Sequence, residues 1–167
     1  MRRLAITFFG AGYLPIASGT WGSLAAGLVF AAVWYAMIVW ADARLQAFQA
    51  VVLLGVALST YLSVIWGKWA CRHFQTSDPK PFVLDEVAGQ WLSLFWLPVV
   101  APKAMWIILG VQFLLFRILD IIKPPPARQF EKFEDGYGVV ADDLMSAVYA
   151  NLIGQLVFRY LWLLPAN

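Results

Sequence analysis

Two pairs of adjacent acids stand out in this chain, Asp85-Glu86 and Asp142-Asp143. Each abuts the start of an apolar run, where the sequence predicts a helix to begin. A carboxylate at a helix N-terminus gains about 0.3–1 kcal/mol from capping and from the macrodipole. That accounts for either pair alone. Two pairs at one membrane depth ask for more, because clustered carboxylates repel unless a cation lies between them. A divalent ion with oxygen ligands, Mg²⁺ above all, is the natural one. Without it, one or more of the acids should hold its proton to a higher pH.

A second constellation is Arg117, Asp120 and Lys123, spaced i, i+3, i+6. On a helix they fall within roughly 120° of one face. Two cations beside an acid make either a salt-bridged helix end with snorkelling side chains or a phosphate clamp, with the guanidinium as a planar fork and the ammonium as a point charge. A third is the stretch from Gly10 to Ser23, where glycine, serine and threonine dominate just ahead of a helix. Such a stretch can point backbone N–H groups at an anion. Pro15 breaks the dinucleotide-binding fingerprint, and the chain has no Gly-Lys-Ser/Thr for a P-loop.

Absences narrow the chemistry. The single histidine, His73, excludes mechanisms that need two. Cys71 has Ser77 rather than arginine six residues on, so there is no cysteine-phosphatase loop. No D-x-D-x-T occurs for an aspartyl-phosphate enzyme of the haloacid type, and no Ser/His/Asp set has supporting spacing.

The elements that position these residues are strongly apolar. Of the 167 residues 62% are hydrophobic and 13% charged, against roughly 45–50% and 25% in soluble domains. The mean hydropathy is +0.71. This excludes disorder. A net charge of +2 excludes a nucleic-acid surface, and a lone cysteine excludes an internal disulfide. Uncharged or nearly uncharged runs cover 22–41, 45–67, 87–101, 104–119 and 144–164. The first spans 20 residues without a charge, about 30 Å of helix, enough to cross a bilayer. The third and fourth are short for a full span. The expectation is an all-α membrane protein: a single domain over 1–167 with four or five hydrophobic helices, its site built from loops and helix ends at the cytoplasmic face. Arg2, Arg3, Lys68, Arg72, Lys80, Lys123, Arg128 and Lys132 gather on one side, and Arg44 and Lys103 lie on the other. The positive-inside rule puts the first group in the cytoplasm. Nine of the ten acids are on that side too: Asp78, Glu131, Glu134 and Asp135 besides those named above, with only Asp42 opposite. A transporter would hold its ionisable residues at mid-membrane, so this placement disfavours one. The pattern sets no oligomeric state.

At these segments the chain resembles the phosphatidylglycerophosphatase A family. One block is G-x-G-x-x-P-x-A-x-G-T-x-G-S, carried by Gly10, Gly12, Pro15, Ala17, Gly19, Thr20, Gly22 and Ser23. Another is D-P followed by D-E-x-x-G, carried by Asp78, Pro79, Asp85, Glu86 and Gly89. The last is F-R-x-x-D-x-x-K-P-x-P then G-x-G-x-x-x-D-D, carried by Phe116, Arg117, Asp120, Lys123, Pro124, Pro126, Gly136, Gly138, Asp142 and Asp143. The resemblance implies a Mg²⁺-dependent phosphatase of the bacterial inner membrane, its site facing the cytoplasm, which converts the anionic phospholipid phosphatidylglycerophosphate to phosphatidylglycerol. On that reading Asp85, Glu86, Asp120, Asp142 and Asp143 hold one or two Mg²⁺ and carry the catalysis together with Lys123. Arg117 and Lys123 neutralise the phosphate, and Gly19, Thr20, Gly22 and Ser23 add N–H donors. Nothing in the residues discriminates headgroups, so a phosphatase for another anionic lipid, or a small cation-binding transporter, stays open.

Overall fold

The structure, a computed structural model, describes residues 2–76, 79–98, 101–130 and 137–161. Asp78, Glu131, Lys132, Glu134, Asp135 and Gly136 lie outside the described residues. Within them the chain is helical, without strands: α1 (Arg2–Ile6), a 3₁₀ turn (Ala11–Tyr13), α2 (Ser18–Trp34) running into a π-helical turn (Tyr35–Trp40), α3 (Leu45–Phe74), α4 (Leu84–Ser93), α5 (Pro102–Ile122), α6 (Ala127–Phe130) and α7 (Tyr137–Leu156) with a π-helical end (Val157–Leu161). Among the described residues three helices are long and apolar enough to cross a membrane: Ser18–Trp40, Leu45–Phe74 and Pro102–Ile122. Their outer faces keep Leu28, Leu54, Leu58, Tyr61, Leu114 and Ile118 exposed. Water would penalise so many exposed apolar groups, whereas lipid does not.

The fourth apolar run, expected to be short for a span, extends to 21 residues in α5. The third run is not a span. α4 has 10 residues, about 15 Å of helix and half a hydrocarbon core. It is packed among α2, α3, α5 and α7, and most of its side chains are buried. A helix wrapped by protein and a helix wrapped by lipid are equally apolar, which is why run length misreads it. Trp91 shows how deeply α4 is held, since its indole N–H donates to the Ala26 carbonyl of α2 at 2.9 Å.

The end of α4 poses a problem that α7 solves. Trp96 takes a positive φ of 58°, and Pro98 follows, so the helix stops inside the bundle. Its last carbonyls then need donors, because an orphaned buried carbonyl costs about 1–3 kcal/mol. Asn151 Nδ2 lies 3.3, 3.0 and 2.7 Å from the carbonyls of Leu92, Ser93 and Phe95. Gln155 Nε2 adds a bond of 3.1 Å to the Phe95 carbonyl. From α3, Gln49 Oε1 accepts the Trp96 N–H at 3.1 Å. Irregular backbone at membrane depth survives where protein side chains satisfy it.

Candidate active site

α4, α5, α7 and the start of α2 meet at one end of the bundle. Asp85 and Glu86 occupy the first turn of α4, as expected of carboxylates at a helix N-terminus. Asp142 and Asp143 do not occupy such a place. α7 already runs from Tyr137, so both acids sit more than a turn inside it. Capping therefore cannot explain them.

Adjacent residues on a helix point about 100° apart, and this divides the α7 pair. Asp143 turns toward α4, where Asp85, Glu86 and Asp143 each bring a carboxylate oxygen within 4.8 Å of the others. Asp142 turns toward the end of α5 and accepts a 2.6 Å bond from Lys123 Nζ. Lys123 reaches it because α5 ends there in a left-handed residue with φ 49°, its amide closing on the Leu119 carbonyl at 2.8 Å. Asp120, one turn earlier, pairs with Arg117 at 2.9 Å. Of the five acids expected to share a cation, the structure groups three. It ties Asp142 to Lys123, while Asp120 pairs with Arg117 and also stands against Asp143, whose carboxyl is raised by burial and then by the Asp120 charge.

The grouped acids are in an electrostatically costly place. Asp85 and Asp143 are buried. Desolvation and then the Glu86 charge push the Asp85 carboxyl well above its usual range, and desolvation raises Glu86 as well. Glu86 Oε2 and Asp143 Oδ2 are buried without hydrogen-bond partners among the described residues. Three carboxylates this close, two of them with a buried oxygen left without a partner among the described residues, could hold a metal ion. An all-oxygen donor set of this kind suits a hard divalent cation such as Mg²⁺.

Beside them lies a cavity of about 430 Å³, bounded by residues 12–19, Lys80, Pro81, Glu86 and Arg117. Arg117 Nε is buried without a hydrogen-bond partner among the described residues. Gly19 lies where no side chain fits: a Cβ there would sit 2.1 Å from Glu86 Oε1 and 3.2 Å from Arg117 Nη1. The backbone of α2 thus comes directly against the acid and the guanidinium. The N–H donors expected over Gly19, Thr20, Gly22 and Ser23 narrow to the mouth of the helix. The Thr20 amide bonds the Ala17 carbonyl at 2.8 Å, while Gly22 and Ser23 stand inside the helical ladder. Gly22 packs on Val83, and the buried Ser23 hydroxyl donates to the Gly19 carbonyl at 2.8 Å. Only Ser18 and Gly19 of the helix line the cavity. Two participants escaped the sequence reading. Lys80 was counted there only as a loop charge, although it stands five residues before the acid pair. Asn151 carries no local signal at all.

The model of the phosphatidylglycerophosphatase A family matches residues 4–158. The chain belongs to that family. It is accordingly a lipid phosphatase, a phosphoric monoester hydrolase. The phosphatidylglycerophosphatase A of Escherichia coli (strain K12) is 36% identical over 143 residues, covering 84% of this chain and 73% of that protein. The enzyme of the same name from Haemophilus influenzae is 32% identical over 153 residues, 87% of this chain and 81% of its own. A Bacteroides thetaiotaomicron protein, provisionally named a phosphatidylinositol-3-phosphatase, is 32% identical over 154 residues, 88% and 87% of the two chains. No solved structure matches the chain significantly.

Proposed function

We propose that this protein hydrolyses phosphatidylglycerophosphate to phosphatidylglycerol and phosphate at the cytoplasmic face of a bacterial inner membrane, with Mg²⁺. The observation that carries this reading is the convergence of Asp85, Glu86 and Asp143 within 4.8 Å, with Glu86 also lining a cavity that presents Arg117 and the start of α2. The cytoplasmic orientation follows from the excess of Lys and Arg at that end.

A phosphate monoester is inert in water, and catalysis must stabilise charge on the transferring phosphoryl group. Asp85, Glu86 and Asp143 would hold Mg²⁺, which when bound would supply positive charge beside the phosphoryl oxygens and lower the pKa of water. The chain does the rest. Arg117 donates through its free Nε to one phosphoryl oxygen, and the amides of Ser18 and Gly19 at the positive end of α2 receive another. Asp120 holds the guanidinium in place, which makes it a positioning residue. Asp142 and Lys123 fasten the end of α5 to α7 and so set where Arg117 stands. Glu86, which lines the cavity, takes a proton from the attacking water. The new P–O bond forms as the ester P–O bond breaks. The proton taken up by Glu86 passes to the departing glycerol oxygen, leaving phosphatidylglycerol and inorganic phosphate.

The direct test is phosphate release from phosphatidylglycerophosphate by the detergent-purified protein, with Mg²⁺ and then with EDTA. Release that EDTA abolishes supports the reading. Release from phosphatidate or a phosphoinositide but not from this lipid moves the substrate and keeps the site. No release from any lipid phosphate refutes the proposal.

A further inference from the structure

The cavity is larger than the reaction needs. At about 430 Å³ it falls within the range of small-molecule clefts, roughly 300–1,000 Å³. The transferring phosphoryl group contacts only the part near Glu86, Arg117 and Gly19. The remaining wall is the loop Tyr13–Ala17 together with Lys80 and Pro81. Its one cationic side chain among the described residues is Lys80.

Lys80 is presented with unusual constraint. It lies between Pro79 and Pro81. Each proline fixes its own φ, and Pro81 also restricts the backbone of the residue before it. The Phe82 N–H donates to the Pro79 carbonyl at 2.7 Å, closing a turn around Lys80, and the Val83 N–H donates to the Ile6 carbonyl at 2.9 Å. The N-terminal loop presses on the same turn, for a Cβ at Gly12 would lie 2.2 Å from the Pro81 carbonyl oxygen. A flexible, exposed lysine on a rigid base is suited to reach an anion at a set distance from the reaction centre. The other two cations of the site already face carboxylates, Arg117 at Asp120 and Lys123 at Asp142. Lys80 faces none among the described residues.

We infer that Lys80 is the headgroup-selecting residue: it binds the phosphodiester of a lipid that carries a second phosphate, while Arg117 holds the phosphomonoester. The inference rests on the proposed function and deepens it. A substrate with two phosphates joined through a short polyol fills both ends of the cavity. A lipid with one phosphate leaves Lys80 unused, so selectivity between the two classes lies in this side chain.

The products separate the two subsites. Phosphatidylglycerol retains the phosphodiester and has lost the monoester, whereas inorganic phosphate competes for the monoester site. The experiment measures kcat and KM on phosphatidylglycerophosphate, and the inhibition constants of both products, for wild type, Lys80→Ala and Lys80→Arg in detergent micelles with Mg²⁺. In Lys80→Ala, KM and the inhibition constant of phosphatidylglycerol should rise about tenfold, the loss of one charge-assisted hydrogen bond at a partly wet site. The turnover number and the inhibition constant of phosphate should stay within about twofold, and Lys80→Arg should restore most of the binding. An unchanged KM and phosphatidylglycerol inhibition in Lys80→Ala, with wild type active, overturns the inference and leaves the proposed function standing. So does an equal weakening of phosphate inhibition, which would place Lys80 at the monoester. Wild type that releases phosphate from no lipid overturns the proposed function and this inference with it.

Discussion

Asp85→Asn should make the metal-free protein more stable while ending its activity. Asp85, Glu86 and Asp143 bring carboxylate oxygens within 4.8 Å of each other. Two unit charges at that distance repel by about 3.5 kcal/mol at an effective dielectric of about 20. Proton uptake limits this cost. Holding one carboxyl of ordinary pKa protonated at pH 7 costs about 4 kcal/mol, at 1.36 kcal/mol per pKa unit. Removing one acid therefore recovers about 1–3 kcal/mol, since the amide keeps the shape and gives up some of the hydrogen bonding of the carboxylate. The sign with pH follows from burial, which raises the Asp85 carboxyl above its unfolded value. Between those two values the folded state binds more protons than the unfolded one, so metal-free stability falls as pH rises through that window. The Asn variant should lose most of that slope. With Mg²⁺ the gap closes or reverses: wild type gains about 2.7 kcal/mol at a hundred times the dissociation constant, and the variant gains little. The assay is thermal unfolding in detergent at pH 5 to 8, in EDTA and in Mg²⁺, beside phosphate release. A variant that melts at or below wild type in EDTA would show that the acids do not strain one another. Equal Mg²⁺ increments in both proteins would remove Asp85 from the ligand set.

Three further outcomes follow from the same geometry. Gly19→Ala puts a methyl group 2.1 Å from Glu86 Oε1 and should cut phosphate release severely, with the thermal midpoint little changed because alanine favours the helix; full activity would mean the carboxylate is not held against α2. Lys123→Ala leaves Asp142, with 4% of its side chain exposed, as a buried charge without this partner, and should destabilise by about 1–3 kcal/mol, below the usual cost of breaking a buried pair because Lys123 is itself partly exposed. The double variant with Asp142→Asn should recover most of that loss in a denaturant or thermal melt, and additive losses would deny the coupling. Asn151→Leu deprives the end of α4 of its donor and should cost about 2–4 kcal/mol, read as a lowered thermal midpoint; a variant as stable as wild type would mean that those carbonyls find other donors.

The amino-acid sequence by itself determined the material of this protein and its approximate placement. Runs without charge are a local property, and they located the long helices, the membrane character and the end of the bundle where the acids gather. The same runs could not say what surrounds a helix. Protein and lipid ask for the same apolar side chains, so 87–101 reads as a span until Asn151 and Gln155 are seen to terminate α4 inside the bundle. The site divides along the same line. Asp85, Glu86, Arg117, Asp120, Lys123, Asp142 and Asp143 were legible because charges in so apolar a chain are few and clustered. Their allocation was not. Whether Asp142 or Asp143 faces α4 depends on the rotation of α7 about its axis, and packing between helices distant in sequence sets that rotation. The same holds for Gly22 and Ser23, which differ from Gly19 only in which neighbour each meets. Lys80 gained its place because the turn Pro79–Phe82 lies against the loop of Gly12, a contact between segments nearly seventy residues apart. Composition and spacing act within a few residues, and direction is decided by what packs from elsewhere in the chain.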